Sequence, residues 1–353
     1  MPRHVSFCKL ADPSNYVACP WNLTADAQGR RYWVDLFKRQ LSIALDLGIA
    51  AAPDPASVRA RAANCQLEFF STFDAFAAKP ASYGRVDILI LDRWRDSILR
   101  RHGFVDAYWN LKQRENAKAL PLLPAVCHEL DGLPESEQTH AVISGVLAGN
   151  IFDMGAESVA RDFLAAGRDF HHTRQSLSPQ PWLIDDLDAF AQRLSSGPPY
   201  HKAVFFVDNA GSDFLLGAVP MIRWLAQRGT RVVLAANSGP TLNDMTIDEV
   251  NSWWPRIVAA EASIEPLPIE RVGTGTTEPL IDLSQISPEL NAAAADADLV
   301  ILEGMGRGVE SNLDAQFSCD ALNVAMIKDQ AVAARHGAKV LDCVCKFVRA
   351  ARP

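Results

Sequence analysis

Three apolar runs in the second half of the chain end abruptly in oxygen-bearing side chains. Val204 to Val207 leads into Asp208, Asn209, Ala210, Gly211, Ser212 and Asp213. Val232 to Ala235 leads through Ala236 into Asn237, Ser238, Gly239 and Pro240, and on to Asn243 and Asp244. Leu299 to Leu302 leads into Glu303, Gly304, Met305, Gly306, Arg307 and Gly308. A carboxylate, an amide carbonyl and a second carboxylate make a partial shell suited to a hard divalent cation, with water and a phosphate oxygen completing it. Asp208, Asn209 and Asp244 are the expected ligands. A cation so held would polarise a phosphoryl oxygen and activate a bound water, as phosphomonoester hydrolysis requires. Capping of the helix expected just afterwards would explain Asp208 alone, but not Asn209, Asp213 and Asp244 with it.

Other residues stand near this set with less to distinguish them. Arg307 lies between glycines at a strand end, where a ligand can approach the backbone and a guanidinium can clamp phosphate with two hydrogen bonds. Lys328, preceded by Ala325, Met326 and Ile327, reads either as a solvated surface lysine or as a phosphate partner. The segment Ala148 to Gly155, which contains Asn150 and Asp153, reads by itself as an ordinary helix stop. His171 and His172 follow Phe170 in a stretch rich in Arg and Asp, so a solvated face is favoured over metal ligation. No serine occupies a G-x-S-x-G turn, which removes the usual nucleophile elbow.

The elements that must carry these residues fall into two regions. Residues 1–197 read as mainly helical, with candidates at Arg31 to Ile49, Val58 to Ala77, Asp87 to Arg101, Glu115 to Leu130, Thr139 to Leu147 and Asp185 to Leu194. Ser195 to Tyr200, with one glycine and two prolines, marks a break. Residues 198–353 then alternate. Strands are expected at Ala203 to Val207, Arg231 to Ala236, Asp298 to Leu302 and Lys339 to Phe347, with helices at Phe214 to Gln227 and Ala321 to Arg335. Short, wholly apolar strands between helices predict an α/β fold, a three-layer α/β/α Rossmann-like parallel sheet, with ligands at the strands' carboxyl ends.

Bulk properties limit what such a site can bind. The 353 residues are 48% hydrophobic and carry a formal charge of −8, so nucleic acid and anionic lipid find no general attraction. A phosphate ligand therefore needs a bound cation or a local Lys/Arg cluster. The seven cysteines form no C-x-x-C pair, and Cys343 and Cys345 share one face of an expected strand as small hydrophobes. The first residues lack a signal peptide's apolar stretch, and no segment reaches the roughly 20 apolar residues of a membrane span. A cytoplasmic compartment is the expectation.

With these motifs laid out, the sequence resembles the damage-control phosphatase family, once known as domain of unknown function 89. The pattern looks closest to the branch found as the C-terminal domain of animal pantothenate kinase 4 and as standalone plant proteins, and the standalone form is expected here. The resemblance rests on Tyr32-Trp33, on Leu99-Arg100 and Gly103-Phe104, on Lys112 with Glu115-Asn116, and on Gly149-Asn150 with Asp153. It continues through Asp208 to Asp213, Asn237 to Pro240 with Asn243-Asp244, Ile281 to Ser284, Glu303 to Arg307, and Lys328. It implies metal ligation by Asp208, Asn209 and Asp244, with magnesium, manganese, cobalt or nickel all compatible with oxygen donors. It also implies a phosphate site drawing on Asn150, Asp153 and Lys328, with Asn237, Ser238, Glu303 and Arg307 as further substrate-side candidates. Asp213 is the candidate for deprotonating the attacking water, or else a partner that fixes Asn209. The implied substrate is a small phosphorylated metabolite, 4'-phosphopantetheine or its oxidised sulfonate and sulfinate forms. Its arm would suit an apolar groove, for which Trp94, Phe104, Tyr108 and Trp109 are candidates. Self-association into a homo-oligomer is left open.

Three rivals follow from the same residues. A sugar-phosphate phosphatase would share the chemistry. A methyltransferase or nucleotide-binding Rossmann protein would use the G-x-G-x-G run Gly304, Gly306, Gly308, but that run lies far from the first βα turn. A phosphometabolite sensor would bind without turnover, yet has no need of a water-activating metal.

Overall fold

The computed structural model describes residues 4–151, 170–175, 177 and 179–350. The centre is a seven-stranded sheet. Its strands are β1 (Ile184–Asp185), β2 (Lys202–Phe206), β3 (Arg231–Ala236), β4 (Ile269–Gly273), β5 (Leu299–Glu303), β6 (Asp320–Met326) and β7 (Cys343–Val348). They are ordered β1-β7-β6-β5-β2-β3-β4, and every pairing is parallel except β6 with β7. β2, β3 and β5 are buried almost throughout, as continuous Val/Ile/Leu/Phe runs dictate when helices cover both faces.

The segment Ala321 to Arg335, expected as one helix, is instead strand β6 followed by a short helix, Gln330–His336. Alanine favours helix, but a short apolar run buried on both sides has no periodicity to separate helix from strand, and the free edge of β5 decides the matter. Lys328 consequently sits in the turn beyond β6 and not on a helix. That turn also explains the antiparallel β7. Hydrogen bonds from Ile327 N–H to Asp342 O and from Leu341 N–H to Ile327 O fold the chain straight back, where a parallel return would need a full crossover.

The helical half does not form one layer. Helices α1 (Ala27–Ala51), α2 (Pro55–Ala78) and α3 (Ile88–Arg101) build one core with Ala325 and Val344 of the sheet and Ile327 just beyond β6. Helices α5 (Leu123–Gly132) and α6 (Glu135–Ile151) share a different core with Phe205, Val207, Leu234, Ile301 and Val324. Alternate strand residues Val204, Phe206, Val233 and Val300 pack with Phe7, Ile281, Leu283 and Leu290 on the same sheet face as the α1–α3 core. The expected single helix Glu115 to Leu130 is broken in two. Helix α4 (Trp109–Ala119) ends in a 3-10 turn at Leu120–Leu122 before α5 starts, because Pro121 and Pro124 cannot donate to a continuous helical ladder.

Candidate functional site

The carboxyl ends of β2, β3 and β5 meet on the floor of a cavity of about 470 Å³. The loops after β2 and β3 pair with each other: Ala210 N–H donates to Asn243 O at 2.9 Å, Met245 N–H donates to Asp208 O at 2.9 Å, and Asn209 bridges Asp244. Asp208, Asn209, Asn243 and Asp244 line the cavity, together with Lys328 from the turn after β6. Beneath them lies Arg307, 1% exposed, on the π-helical turn Met305–Ser311 that follows β5. Its Nη1 donates to Asp208 Oδ1 and its Nη2 to Asp244 Oδ2, the latter at 2.6 Å.

Close backbone approach makes this convergence feasible. Gly149 of α6 lies so near the β2 loop that a Cβ there would stand 2.9 Å from Asp213 Cα. Gly304 has φ of +95°, and a Cβ on it would overlap the Asp208 carboxylate. Gly304→Ala is therefore expected to cost about 1–3 kcal/mol from backbone strain alone. It should also displace Asp208, so thermal denaturation and phosphate release should both report the loss.

Second-row residues hold the floor. Asn150 donates Nδ2 to Asp213 Oδ2 at 3.0 Å and to Asp208 Oδ2 at 3.3 Å, while its backbone carbonyl accepts from Lys328 Nζ at 3.0 Å. Asn209 spends its amide nitrogen on Asp208 at 2.8 Å and Asp213 at 2.9 Å. Asp213 is buried behind these residues and does not line the cavity. Asn237 donates to Asp244 Oδ2 at 3.1 Å, and Glu303 accepts from Asp208 N–H at 3.1 Å. Ser238 is turned outward, exposed, and accepts from Gly275 N–H. Asp153 lies outside the described residues.

Four buried carboxylates, Asp208, Asp213, Asp244 and Glu303, thus face two buried cations, Arg307 and Lys328. Burial pushes the Asp208 carboxyl well above the usual range; Arg307 opposes this, Asp244 and Asp213 add to it, and Lys328 opposes it. Glu303 is raised likewise, by burial first and then by the Asp213 charge and a hydrogen bond to it. Asn237 Oδ1 and Asn243 Oδ1 are buried acceptors with no donor among the described residues. Surplus negative charge and idle oxygen acceptors fit a hard divalent cation. Among the described residues no three His, Cys, Asp or Glu side chains surround one point. The expected set of two carboxylates and one amide falls below that number, with Arg307 spanning the carboxylates.

One face of α1 closes the cavity opposite the floor. Tyr32, Leu36, Arg39, Gln40 and Ile43 line it, with Asp92 and Arg95 of α3. Their spacing is that of a helical stripe, which ordinarily marks core, so the sequence pattern does not distinguish α1 as a wall. Of the aromatic residues expected to form a groove, Trp94 packs edge-on to Phe73 and Phe76, and Trp109 is on the surface. Phe104 and Tyr108 line a neighbouring space of about 20 Å³ and not the main cavity. The glycine run after β5 serves close packing: a Cβ on Gly308 would stand 3.0 Å from Leu302 O, which leaves no cradle for a pyrophosphate.

The family model for the damage-control phosphatase ARMT1-like domain matches residues 59–344. The chain belongs to the damage-control phosphatase family. A damage-control phosphatase of Arabidopsis thaliana is 36% identical over 97% of each chain. Pantothenate kinase 2 of Oryza sativa is 37% identical over 97% of this chain but only 41% of its own length. The 4'-phosphopantetheine phosphatase of Mus musculus is 32% identical over 96% of this chain and 48% of its own length. The chain thus spans under half of these last two relatives. The damage-control fold recurs in the crystal structure of a DUF89 family protein from Pyrococcus horikoshii, at 16% identity and a TM-score of 0.64, covering 89% of this chain and 96% of that one. No helix among the described residues is long and apolar enough to cross a membrane.

Proposed function

We propose that the protein is a divalent-metal-dependent phosphomonoesterase whose substrate is 4'-phosphopantetheine or an oxidised form of it. The observation that carries this reading is the floor itself, where Asp208, Asn209 and Asp244 converge with Arg307 and Lys328. A cation held there by Asp208, Asn209 and Asp244 would supply Lewis-acid polarisation of the phosphoryl group and a water of lowered pKa. Lys328 offers an ammonium at the cavity surface, and Arg307 a planar fork just beneath it. Both stand where negative charge would grow on the phosphoryl oxygens. Asn150 and Asp213 orient the amide of Asn209 and the carboxylate of Asp208. This assigns Asp213 to positioning, with the attacking water left to the cavity side.

The α1 wall supports the substrate proposal. Leu36 and Ile43 offer apolar surface while Tyr32, Arg39 and Gln40 offer polar contacts, a mixture suited to a chain that alternates methylenes with amides. The name of the mouse relative points the same way. The test is phosphate release by metal-stripped protein given 4'-phosphopantetheine, its sulfonate or a panel of sugar phosphates, with magnesium, manganese, cobalt or nickel restored one at a time. Metal-restored turnover with phosphopantetheine forms ahead of sugar phosphates is the expected result. Turnover that ignores metal, or a preference for sugars, would overturn the corresponding half of the proposal.

A further inference from the structure

Helix α4 lies outside the cavity, yet it touches both ligand-bearing loops from behind. Lys112 and Asn116 are one helical turn apart, so they share a face, and both are essentially unexposed. Asn116 Oδ1 accepts from Gly211 N–H in the β2 loop at 2.6 Å. Its Nδ2 points to Met245 Sδ in the β3 loop at 3.6 Å. Lys112 Nζ donates to Glu249 Oε2 at 2.9 Å and to Asp106 Oδ2 at 3.0 Å, and approaches the backbone carbonyl of Asp244 at 3.4 Å. Glu249 in turn accepts from Thr246 N–H at 3.0 Å, in the capping box that starts the helix Ile247–Ala260 just after the β3 loop.

We propose that Lys112 and Asn116 are positioning residues, a strut on α4 that sets the separation of Asp208 and Asn209 from Asp244 and thereby the affinity of the metal centre. The inference rests on the metal-centre reading above. Neither residue lines the cavity, so neither acts on substrate directly. Gly211 has φ of +81°, and a Cβ on it would stand 3.0 Å from Glu115 Cβ, so the loop is seated against α4 with no slack. The cation of Lys112 is saturated by Asp106 and Glu249, which directs it to the loop's backbone and away from a phosphate. Partners that orient metal ligands from outside typically change metal affinity by about 10–100-fold when removed.

The experiment is Mn²⁺ titration of the metal-stripped full chain, with free Mn²⁺ followed by electron paramagnetic resonance, for the unaltered protein, Asn116→Ala and Lys112→Met. Near-ultraviolet circular dichroism identifies folded samples. Lys112→Met removes the cation from the buried Glu249 and the half-buried Asp106, so Asn116→Ala is the variant that keeps the test open if the other fails to fold. Binding weakened about 10–100-fold is expected, with the rate of phosphate release recovering at saturating Mn²⁺. Because bound metal also stabilises a folded chain, the recovery counts only for samples whose near-ultraviolet spectrum is already native without metal. Unchanged Mn²⁺ affinity in folded Asn116→Ala, or a lost rate that saturating metal does not restore, would overturn the strut while leaving the metal centre intact. Absence of Mn²⁺ binding by the unaltered chain would sink the metal centre and the strut together.

Discussion

Asp208→Ala is expected to lower metal-restored phosphate release on the order of 10³-fold or more, with little recovery at high metal concentration. Asp208 is the shared node of the floor: it accepts from Asn150, Asn209 and Arg307, and its backbone amide is held by Glu303. Removing its carboxylate deletes an expected metal ligand and also frees Arg307 from one of its two partners. Phosphate release against metal concentration, measured beside a near-ultraviolet spectrum, separates lost chemistry from lost fold. A variant that keeps more than a tenth of the activity would remove Asp208 from the metal centre. Asp208→Asn keeps the shape while halving the carboxylate pair, and should fall nearly as far because an amide is the weaker ligand for a hard cation.

Arg307→Met should produce an effect that depends on whether metal is present. Without metal, the guanidinium is hydrogen-bonded to both Asp208 and Asp244 and offsets their negative charge. Breaking such an ion pair by removing one partner costs about 3–5 kcal/mol. With metal bound, a divalent cation compensates the same two carboxylates, so added Mn²⁺ should raise the thermal midpoint of Arg307→Met more than that of the unaltered chain. Activity at saturating metal should still drop roughly 10²–10³-fold, the usual loss when a donor to developing charge is deleted. Arg307→Lys retains charge but not the two-pronged geometry, so it should recover stability better than rate. Equal metal-induced shifts in Arg307→Met and the unaltered protein would refute this account of Arg307.

The floor of the site was legible in the sequence because strand ends announce themselves. The runs before Asp208 and Glu303 are wholly apolar and short, so the polar residues after them had to surface together at one sheet edge. Lys328 was placed on the wrong element for the complementary reason. Ala-Leu-Asn-Val-Ala-Met satisfies a helix and a buried strand equally, and only a partner strand, invisible in sequence, chooses. The position of α4 behind the loops was also out of reach. Lys112 and Asn116 look like surface residues of a polar helix, and their burial comes from the β2 and β3 loops and Glu249, partners far away in sequence.

Opposite walls of the cavity come from unrelated kinds of structure. The floor hangs from three strand ends whose loops are hydrogen-bonded to one another, so a change there disturbs several residues at once. The facing wall is a single stripe along α1, where Leu36, Arg39, Gln40 and Ile43 can each be exchanged without altering the backbone. Natural selection, or a directed-evolution library confined to those four codons, can therefore retune what the cavity accepts while the reaction stays the same.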